Sequence, residues 1–435
     1  MPRAVKGRGS PPPRYSHAVW KFMVTIGGAY LRLAEGVRSV SLTNPEVLQE
    51  GYRAFHQGEK RLILAFRHTA KEDAHVLTYA LNVLLPRLSR KSGIAFPYHP
   101  HVRFLYGKDV LTWAGNAAAW LIPRIGGIPV RNRGANREGL SIIRSDAVSG
   151  PYPIALAPEG QVTYHMYRSA PGTGGTASIA LWALESGKPV EIIPLALGYR
   201  WGSDPEAFIR RMLMRWESET GRTVSGTHLH EQLIEATDGT LDLLEEFYGI
   251  AKESSLEYRI AAVCERALAS GEASAGIVAS GTILDRLFRL RYTGVDRMFP
   301  DDFEPQKLPR ITRSLKDFRA QEAAAFMRHA QIVDILEYLD PSYIDPPFSA
   351  GRGCEYVLNL LDIVNRMQGG NINTRFSPKG KTAMVLAGPP LDAGSLLSGG
   401  RGNRENRNLL NKAVENSLNR ASQDLESIWE HSTLS

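Results

Sequence analysis

Between residues 60 and 200, short apolar segments alternate with stretches whose apolar residues recur every three or four positions. The short segments are bounded by polar or turn-forming residues, which is typical of buried strands. They read RLILAF, GIAFPY, RFLYG, YPIALAP and VEIIPLALGYR. Helices are predicted between them, at about 70–88 and 176–188. This alternation predicts an α/β fold with a mostly parallel sheet flanked by helices.

A long helical block follows the last of these strands. Residues 205–370 show helical periodicity, with loops rich in Pro, Gly and Asp. Strand character returns in GKTAMVLAGPPLDAG, at residues 380–394, before a last helix at about 409–429. We therefore predict that the helical block is an insertion in the α/β domain. A separate C-terminal helical domain with an incidental strand is the alternative.

The remaining boundaries follow from composition. Residues 1–15, which include GRGSPPPR, are predicted to form a disordered basic tail. An amphipathic helix is predicted at 16–40. The α/β domain then spans 41–204 and is completed by 371–435, with the return strand and a C-terminal helix.

The N-terminal region carries almost all of the excess positive charge. Residues 1–40 contain seven basic side chains and one acidic one, a net +6 out of the chain's formal +7. The apolar stripe of the predicted helix is Val19, Phe22, Met23, Ile26, Tyr30, Leu33 and Val37. Such a helix either lies on an anionic bilayer or packs on the protein's own core. The uncharged segment VLTWAGNAAAWLIP, at 110–123, is likewise expected either to enter the membrane interface or to form a buried helix.

Composition also narrows the class of protein. Because the chain beyond residue 40 is nearly neutral, a nucleic-acid groove along the whole protein is not expected. No run of eighteen apolar residues predicts a transmembrane helix, and no clear signal-peptide cleavage site is present. Two cysteines, Cys264 and Cys354, provide neither a disulfide framework nor a metal motif, which suits a reducing cytosol.

The most informative residues lie just after LILAF. His68 follows this strand-like segment, and Asp73 lies five residues further on. Parallel sheets bind ligands at the carboxyl ends of their strands, so the imidazole is expected at a binding crevice. If Asp73 lies in the first helical turn, its carboxylate holds the imidazole tautomer, and the other ring nitrogen takes a proton from a hydroxyl. A helix-capping or surface role for His68 is the alternative.

The same His-x4-Asp spacing occurs a second time, at His329 and Asp334. This copy lies inside a predicted amphipathic helix. Side chains five residues apart diverge on a regular helix, where spacings of three and four meet. We therefore predict a structural or solvated role for the second copy.

Three further segments lie beside predicted strands. GGIPVRNRG places Arg131 and Arg133 after an apolar strand, where guanidinium groups suit phosphate, although solvated loop arginines are the alternative. APEGQ places Glu159 and Gly160 at a strand end, where a carboxylate can bind a substrate or hold an arginine in place. IIPLAL is an apolar strand interrupted by Pro194.

In this order, HTAKED, GGIPVRNR, APEGQ and IIPLAL resemble the motifs of the glycerolipid acyltransferase family, of the lysophosphatidate acyltransferase type. The resemblance covers about residues 55–200. It resumes at AMVLAGPPLD, which looks like the family's late strand with its Gly-x-Pro turn. It implies a glycerolipid acyltransferase-like fold, interrupted here by the helical insertion. The catalytic residues that it implies are His68 and Asp73. The substrate-binding residues that it implies are Arg131, Arg133, Glu159 and Gly160.

The chain departs from the family pattern in three places. Arg67 replaces the asparagine that usually precedes the histidine. The arginine block has an extra residue, so either Arg131 or Arg133 takes the phosphate-binding role. Gln161 and Val162 stand where the family usually has Thr or Ser and then Arg. The last departure leaves room for a lysolipid other than lysophosphatidate.

The resemblance implies transfer of a fatty acyl group from acyl-CoA, or from acyl carrier protein, to the hydroxyl of a lysophospholipid such as 1-acylglycerol-3-phosphate. His68 is the implied general base, and no cofactor or metal is expected. The implied partners are the lysophospholipid, the acyl thioester and a membrane surface, but not nucleic acid. The expected location is cytoplasmic, peripherally at the inner face of the membrane. A lipid or thioester hydrolase and an inactive membrane-bound scaffold of the same fold stay open as alternatives.

Overall fold

The computed structural model describes residues 2–9, 11–131, 137–253, 255–397 and 402–431. These residues form two compact units. The α/β unit contains described residues of 11–107, 120–202 and 377–431, and the helical unit contains those of 2–9, 108–119 and 203–376.

All strands of the described chain belong to the α/β unit. They are β1 (Val37–Thr43), β2 (Arg61–Phe66), β3 (Arg103–Gly107), β4 (Ile128–Val130), β5 (Ile154–Leu156), β6 (Val190–Arg200), β7 (Lys381–Ala387) and β8 (Leu391–Asp392). The helices before β6 are α1 (His17–Leu33), α2 (Pro45–His56), α3 (Asp73–Tyr79), α4 (Leu85–Lys91), α5 (Val110–Trp113), α6 (Gly115–Arg124), α7 (Arg137–Ser149) and α8 (Gly175–Leu184). A π-helical turn, Ala80–Leu84, joins α3 to α4.

Most of the helical unit, residues 203–376, follows β6 in the chain. Its longer helices are α9 (Pro205–Thr220), α10 (Leu229–Tyr248), α11 (Leu256–Ala275), α12 (Ile283–Met298), α13 (Arg310–Leu336) and α14 (Ala350–Met367). After β7 and β8 the chain returns to helix in α15 (Ala393–Leu396) and α16 (Asn403–His431). None of the helices in the described ranges combines the length and the apolar character needed to cross a membrane.

The sheet has the strand order β1, β7, β6, β2, β5, β3, β4, and β8 pairs with β6. Neighbours are parallel except at β6–β7 and β6–β8. A mostly parallel sheet flanked by helices confirms the predicted α/β class. β7 lies between β1 and β6, so the strand that follows the helical block is an integral part of the sheet and not an incidental one.

Both faces of the sheet are covered. On one face, Ile63 and Ala65 of β2 belong to a buried apolar cluster with side chains of α8 and α16. On the other face, Gly51 of α2 approaches so closely that a Cβ there would lie 2.8 Å from Ile193 and 3.5 Å from Leu62. Successive strand side chains point to opposite faces. Two covered faces therefore explain why β2 is apolar almost throughout.

Two predicted elements differ from the structure. GIAFPY forms no strand, because Gly93 has a φ of 73° and Pro97 has no N–H to donate to a ladder. The helix predicted at 16–40 ends at Leu33, because Gly36 adopts a φ of 66°, which glycine tolerates. Val37, placed on the helix by its spacing, instead begins the edge strand β1.

The first residues also differ from the predicted disordered tail. The backbone N–H groups of Val5 and Gly7 donate to the carbonyl oxygens of Met298 and Pro300, each at 2.9 Å. Composition alone predicted disorder, but these main-chain hydrogen bonds hold residues 2–9 on the helical unit.

His101 is a buried histidine in the α/β unit. Its ring centroid lies 4.9 Å from those of both Tyr15 and Tyr152, and only 5% of the residue is exposed. Burial lowers the pKa of His101 to about 4, and the charge of Arg103 acts in the same direction. The imidazole is therefore neutral in the folded protein at neutral pH.

We expect the α/β unit to lose stability as the pH falls from about 6.5 to about 4. Over this range the unfolded His101 takes up a proton and the folded one does not, so acidification favours unfolding. His101 is expected to change the free energy of unfolding by about 3 kcal/mol over this range. Comparing the free energies of unfolding of wild type and His101→Gln across the same pH range measures this change, because the variant has no titrating group at residue 101. An identical pH dependence in both proteins would contradict the prediction.

Candidate active site

The loop after β2 and the start of α3 bring His68 and Asp73 together. His68 lies two residues beyond the end of β2, and Asp73 is the first residue of α3. The His68 Nδ1 atom is 3.0 Å from Asp73 Oδ2. An ionised carboxylate only accepts hydrogen bonds, so Nδ1 carries the proton and Nε2 presents its lone pair. This is the contact that the sequence predicted at the carboxyl end of a parallel strand.

Asp73 is fixed on all sides by protein donors. Its Oδ2 also accepts the backbone N–H groups of Thr69 at 2.6 Å and Ala70 at 2.9 Å. Its Oδ1 accepts the Tyr199 hydroxyl at 2.5 Å. The Asp73 side chain is fully buried. Four hydrogen bonds to one buried carboxylate leave it little freedom, so the imidazole is held in one orientation.

The His68 side chain is partly exposed, unlike its buried partner. The His68 side chain is 26% exposed, whereas its Asp73 partner is 0% exposed. Within the described part of the chain, no hydrogen bond to His68 Nε2 is found. A hydroxyl that reaches this atom meets an acceptor whose protonated form is stabilised from behind by the carboxylate.

The second His-x4-Asp copy behaves as predicted for a helix interior. His329 Nδ1 is 2.9 Å from the Tyr248 hydroxyl. Asp334 instead pairs with Arg291 at 3.0 Å and with Arg366 at 3.4 Å. The two side chains of this copy therefore have separate partners. The spacing forms a pair only where a loop leads into a helix.

Arg67, the departure from the family pattern, forms a buried ion pair. Its Nε donates to Glu159 Oε1 at 2.7 Å, and their side chains are 0% and 1% exposed. The other Arg67 nitrogens donate to the carbonyl oxygens of His165 and Arg168 and to Ser422 Oγ. Because every guanidinium nitrogen has an acceptor, the buried charge is fully compensated.

Glu159 therefore does not have the substrate-binding position expected of it. Its Oε2 accepts the backbone N–H of His68 at 3.0 Å, and its Oε1 holds Arg67. Both oxygens are used inside the protein. This corrects the substrate-binding assignment in favour of the alternative, a carboxylate that holds an arginine. Glu159 is a positioning residue for the loop that carries His68.

A second buried group of charges lies behind Asp73. β6 continues beyond the last β2 pair, Phe66 with Leu195, and this extension carries Tyr199 to the Asp73 carboxylate. Burial, and then the carboxylates of Asp73 and Glu72, raise the pKa of Tyr199 well above its ordinary value. The phenol thus stays protonated and donates its hydrogen bond. Sequence reasoning missed Tyr199, and the only signal for it is the length of the β6 run.

Lys381, at the start of β7, balances this group. Its Nζ pairs with Glu72 and lies 5.3 Å from the centroid of the Tyr199 ring. The same ammonium donates to Ser377 Oγ at 2.6 Å. A strand that follows the helical block in sequence therefore contributes the countercharge behind the His68–Asp73 pair. No local pattern links residue 381 to residue 72.

Tyr199→Phe is expected to destabilise the α/β unit by about 1.5–3 kcal/mol, because a buried carboxylate loses one donor. If Asp73 is positioned less firmly and the activation free energy rises by about 1.4 kcal/mol, kcat falls about tenfold. Tyr52→Phe is the matched control, since the buried Tyr52 hydroxyl has no hydrogen-bond partner in the described chain. Unfolding midpoints and kcat for both variants test this. Equal behaviour of the two variants would contradict the positioning role of Tyr199.

The other predicted residues fall at the same sheet edge or outside the described residues. Arg131 follows β4 directly and is half-buried. β4 is three strand spacings from β2, about 14 Å. Arg133 lies outside the described residues. Gly160 has a φ of 77° and forms the turn after β5, a conformation that favours glycine, and Val162 is buried.

A surface groove elsewhere in the α/β unit is separate from this site. It has a volume of about 530 Å³ and lies between Val40–Leu42 of β1 and the stretch 84–91 that ends α4. Leu84 is eleven residues along the helix from Asp73, or about 16 Å. In the described chain, no group of three or more His, Cys, Asp or Glu side chains is placed to hold a metal ion.

No protein-family model matches this chain, and no curated protein matches it.

Proposed function

We propose that this chain is an acyltransferase that moves a fatty acyl group from an acyl thioester to the hydroxyl of a lysophospholipid. The observation that carries the proposal is the His68–Asp73 pair, in which Nδ1 is bound to a buried carboxylate and Nε2 is available to a substrate. The order of the four sequence blocks supports the substrate class, and the α/β sheet supports a glycerolipid acyltransferase-like fold.

In the proposed reaction, His68 Nε2 removes the proton from the lipid hydroxyl as its oxygen attacks the thioester carbonyl carbon. The imidazolium that forms is stabilised by Asp73 Oδ2, 3.0 Å from Nδ1. The tetrahedral intermediate then collapses, the carbon–sulfur bond breaks, and the thiolate leaves. His68 Nε2 returns its proton to that sulfur, so the enzyme ends in its starting state.

The substrate phosphate is proposed to bind at the carboxyl edge of β4, where Arg131 lies. Parallel strands place the ends of β2 and β4 at one edge of the sheet, so a ligand there reaches both regions. A guanidinium group binds phosphate through paired hydrogen bonds. Coenzyme A and acyl carrier protein are both compatible donors in this proposal.

Peripheral association with an anionic membrane is part of the proposal. α1 buries Trp20 and Leu31 against the protein but leaves Phe22 60% exposed and Leu33 79% exposed. Lys21 and Arg32 are exposed beside them. The helix thus uses one face for packing and keeps apolar and basic side chains outside, an arrangement that suits the headgroup region of a bilayer.

One assay separates acyl transfer from the alternatives. The purified full chain is incubated with acyl-CoA, with and without lysophosphatidate, and free thiol, free fatty acid and diacyl product are quantified. Transfer predicts thiol release that needs the acceptor and equals the diacyl product formed. Thiol and fatty acid released without acceptor would identify a hydrolase. No turnover of any lysolipid, together with binding to vesicles, would identify a scaffold.

A further inference from the structure

The first part of α13 has no buried side chain among the described residues of the helical unit. The helix has 27 residues, and its buried side chains begin at Ala320. None of residues 310–319 is buried. Short helices are only marginally stable in water without tertiary packing, so an uncovered stretch of this length needs an explanation.

The exposed stretch carries a line of large apolar side chains. Ile311, Leu315 and Phe318 are 68%, 59% and 59% exposed. Their spacing of four and then three residues aligns them on one side of the helix. The exposed Glu322, four residues after Phe318, ends the apolar line. Single exposed apolar residues are ordinary, but an aligned set of three marks an interaction surface.

The opposite side of the same turns faces the protein. Asp317 accepts the backbone N–H of Ala4 at 2.9 Å, and Lys316 Nζ lies 5.9 Å from the Phe303 ring centroid. Ala320 packs in a small cluster with Ala4 and Phe303. At 3.6 residues per turn, Ala320 lies roughly 180° around the helix from Ile311. The apolar line therefore points away from the helical unit.

Two arginines accompany the apolar line. Arg310 and Arg319 are exposed. In the described chain, neither of their side chains has an acidic partner or another polar contact. Arg310 and Arg319 lie on the two flanks of the line, roughly 100° and 80° from Ile311 in opposite directions. Cations without an acidic partner, placed beside exposed apolar side chains, are complementary to a surface with anionic groups outside and an apolar layer beneath them.

We propose that this α13 face, formed by Ile311, Leu315, Phe318, Arg310 and Arg319, docks on the surface of an anionic phospholipid bilayer. The apolar side chains enter the boundary between headgroups and acyl chains, and the guanidinium groups bind lipid phosphates. This assigns the helical unit a membrane contact of its own. It does not depend on acyl transfer at His68, and its test uses no turnover.

The buried cysteines allow a selective probe. Cys264 and Cys354 are both buried, so a single exposed cysteine can be labelled with an environment-sensitive nitrobenzoxadiazole dye. Phe318→Cys reports on the α13 face. Phe247→Cys is the matched control, because Phe247 is 67% exposed on α10 but follows Glu245 and Glu246 and lacks flanking arginines.

Vesicles of phosphatidylcholine with phosphatidylglycerol should shift the emission of the dye at residue 318 to the blue and leave the dye at residue 247 unchanged. No shift at residue 318, or equal shifts at both residues, would overturn the proposal. A blue shift at residue 318 that grows with protein concentration in the absence of vesicles would also overturn it, in favour of a second copy as the partner.

Vesicle partitioning of the full chain gives the second readout. Leu315→Ser should weaken binding about tenfold. Neutralising the two flanking cations in R310Q/R319Q should weaken it roughly 25-fold, at about fivefold each. The control R404Q/R407Q removes the same charge from exposed positions of α16. Equal losses in the two double variants, or no loss in Leu315→Ser, would overturn the α13 face as the docking site.

Discussion

Replacing His68 by alanine is expected to lower kcat for acyl transfer by about 10²- to 10⁴-fold, the usual contribution of a general base. In the proposed reaction the imidazole Nε2 accepts the proton, so its removal leaves the lipid hydroxyl without a proton acceptor. The fold should survive, because within the described residues the ring makes one hydrogen bond, and it is partly exposed. Mass spectrometry of the diacyl product gives the rate, and circular dichroism reports the fold.

The second His-x4-Asp copy provides the matched control for this experiment. His329→Gln removes a histidine with the same sequence spacing, but one that bonds to Tyr248 and not to Asp334. It should keep the wild-type kcat. Wild-type activity in His68→Ala, or equal losses in both variants, would remove His68 from the reaction.

Replacing Arg67 by methionine is expected to destabilise the α/β unit by about 3–5 kcal/mol. The substitution leaves Glu159 as a buried carboxylate without its cation, and removing one partner of a buried ion pair carries this cost. The unfolding midpoint should fall by on the order of 10 °C. Activity should fall as well where the variant is folded, because Glu159 also holds the His68 backbone N–H. Thermal unfolding followed by circular dichroism measures the shift.

An exposed ion pair of the same unit is the control. Arg144 and Glu185 lie 2.9 Å apart, with side chains 58% and 44% exposed. Arg144→Met should therefore cost less than about 1 kcal/mol. If Arg67→Met is no more destabilising than Arg144→Met, the buried pair does not stabilise the loop in the way described.

The α/β class was predictable because β2 and β6 are apolar on both faces, a pattern that only a covered sheet explains. Strand β1 was not predictable. Its sequence, VRSVSLT, forms an edge strand with few buried residues, and its register depends on β7, more than 300 residues later in the chain. The contacts of the first residues were not predictable for a similar reason. Composition cannot reveal that Val5 and Gly7 bond to the end of α12 and the loop after it.

The His68–Asp73 pair was predictable because it is local: a loop of six residues connects β2 to α3 and closes the contact. Its supports were not predictable, because they come from distant segments. Tyr199 lies on the part of β6 that extends beyond β2, and its hydroxyl donates to Asp73. Lys381 lies on β7, which follows the helical unit in sequence, and pairs with Glu72. For Glu159 both roles were open from the sequence. Only the buried position of Arg67 decides between them.

The central claim is that His68 and Asp73 act as one unit in acyl transfer, and a double-mutant cycle in kcat/KM tests it most directly. His68→Ala, Asp73→Ala and the double variant are compared with wild type under the same acyl-CoA and lysophosphatidate conditions. Groups that act as a unit are strongly non-additive. The double variant should therefore be no slower than His68→Ala alone. If the loss of kcat/KM in the double variant equals the product of the two single-variant losses, His68 and Asp73 act independently, and the account is contradicted.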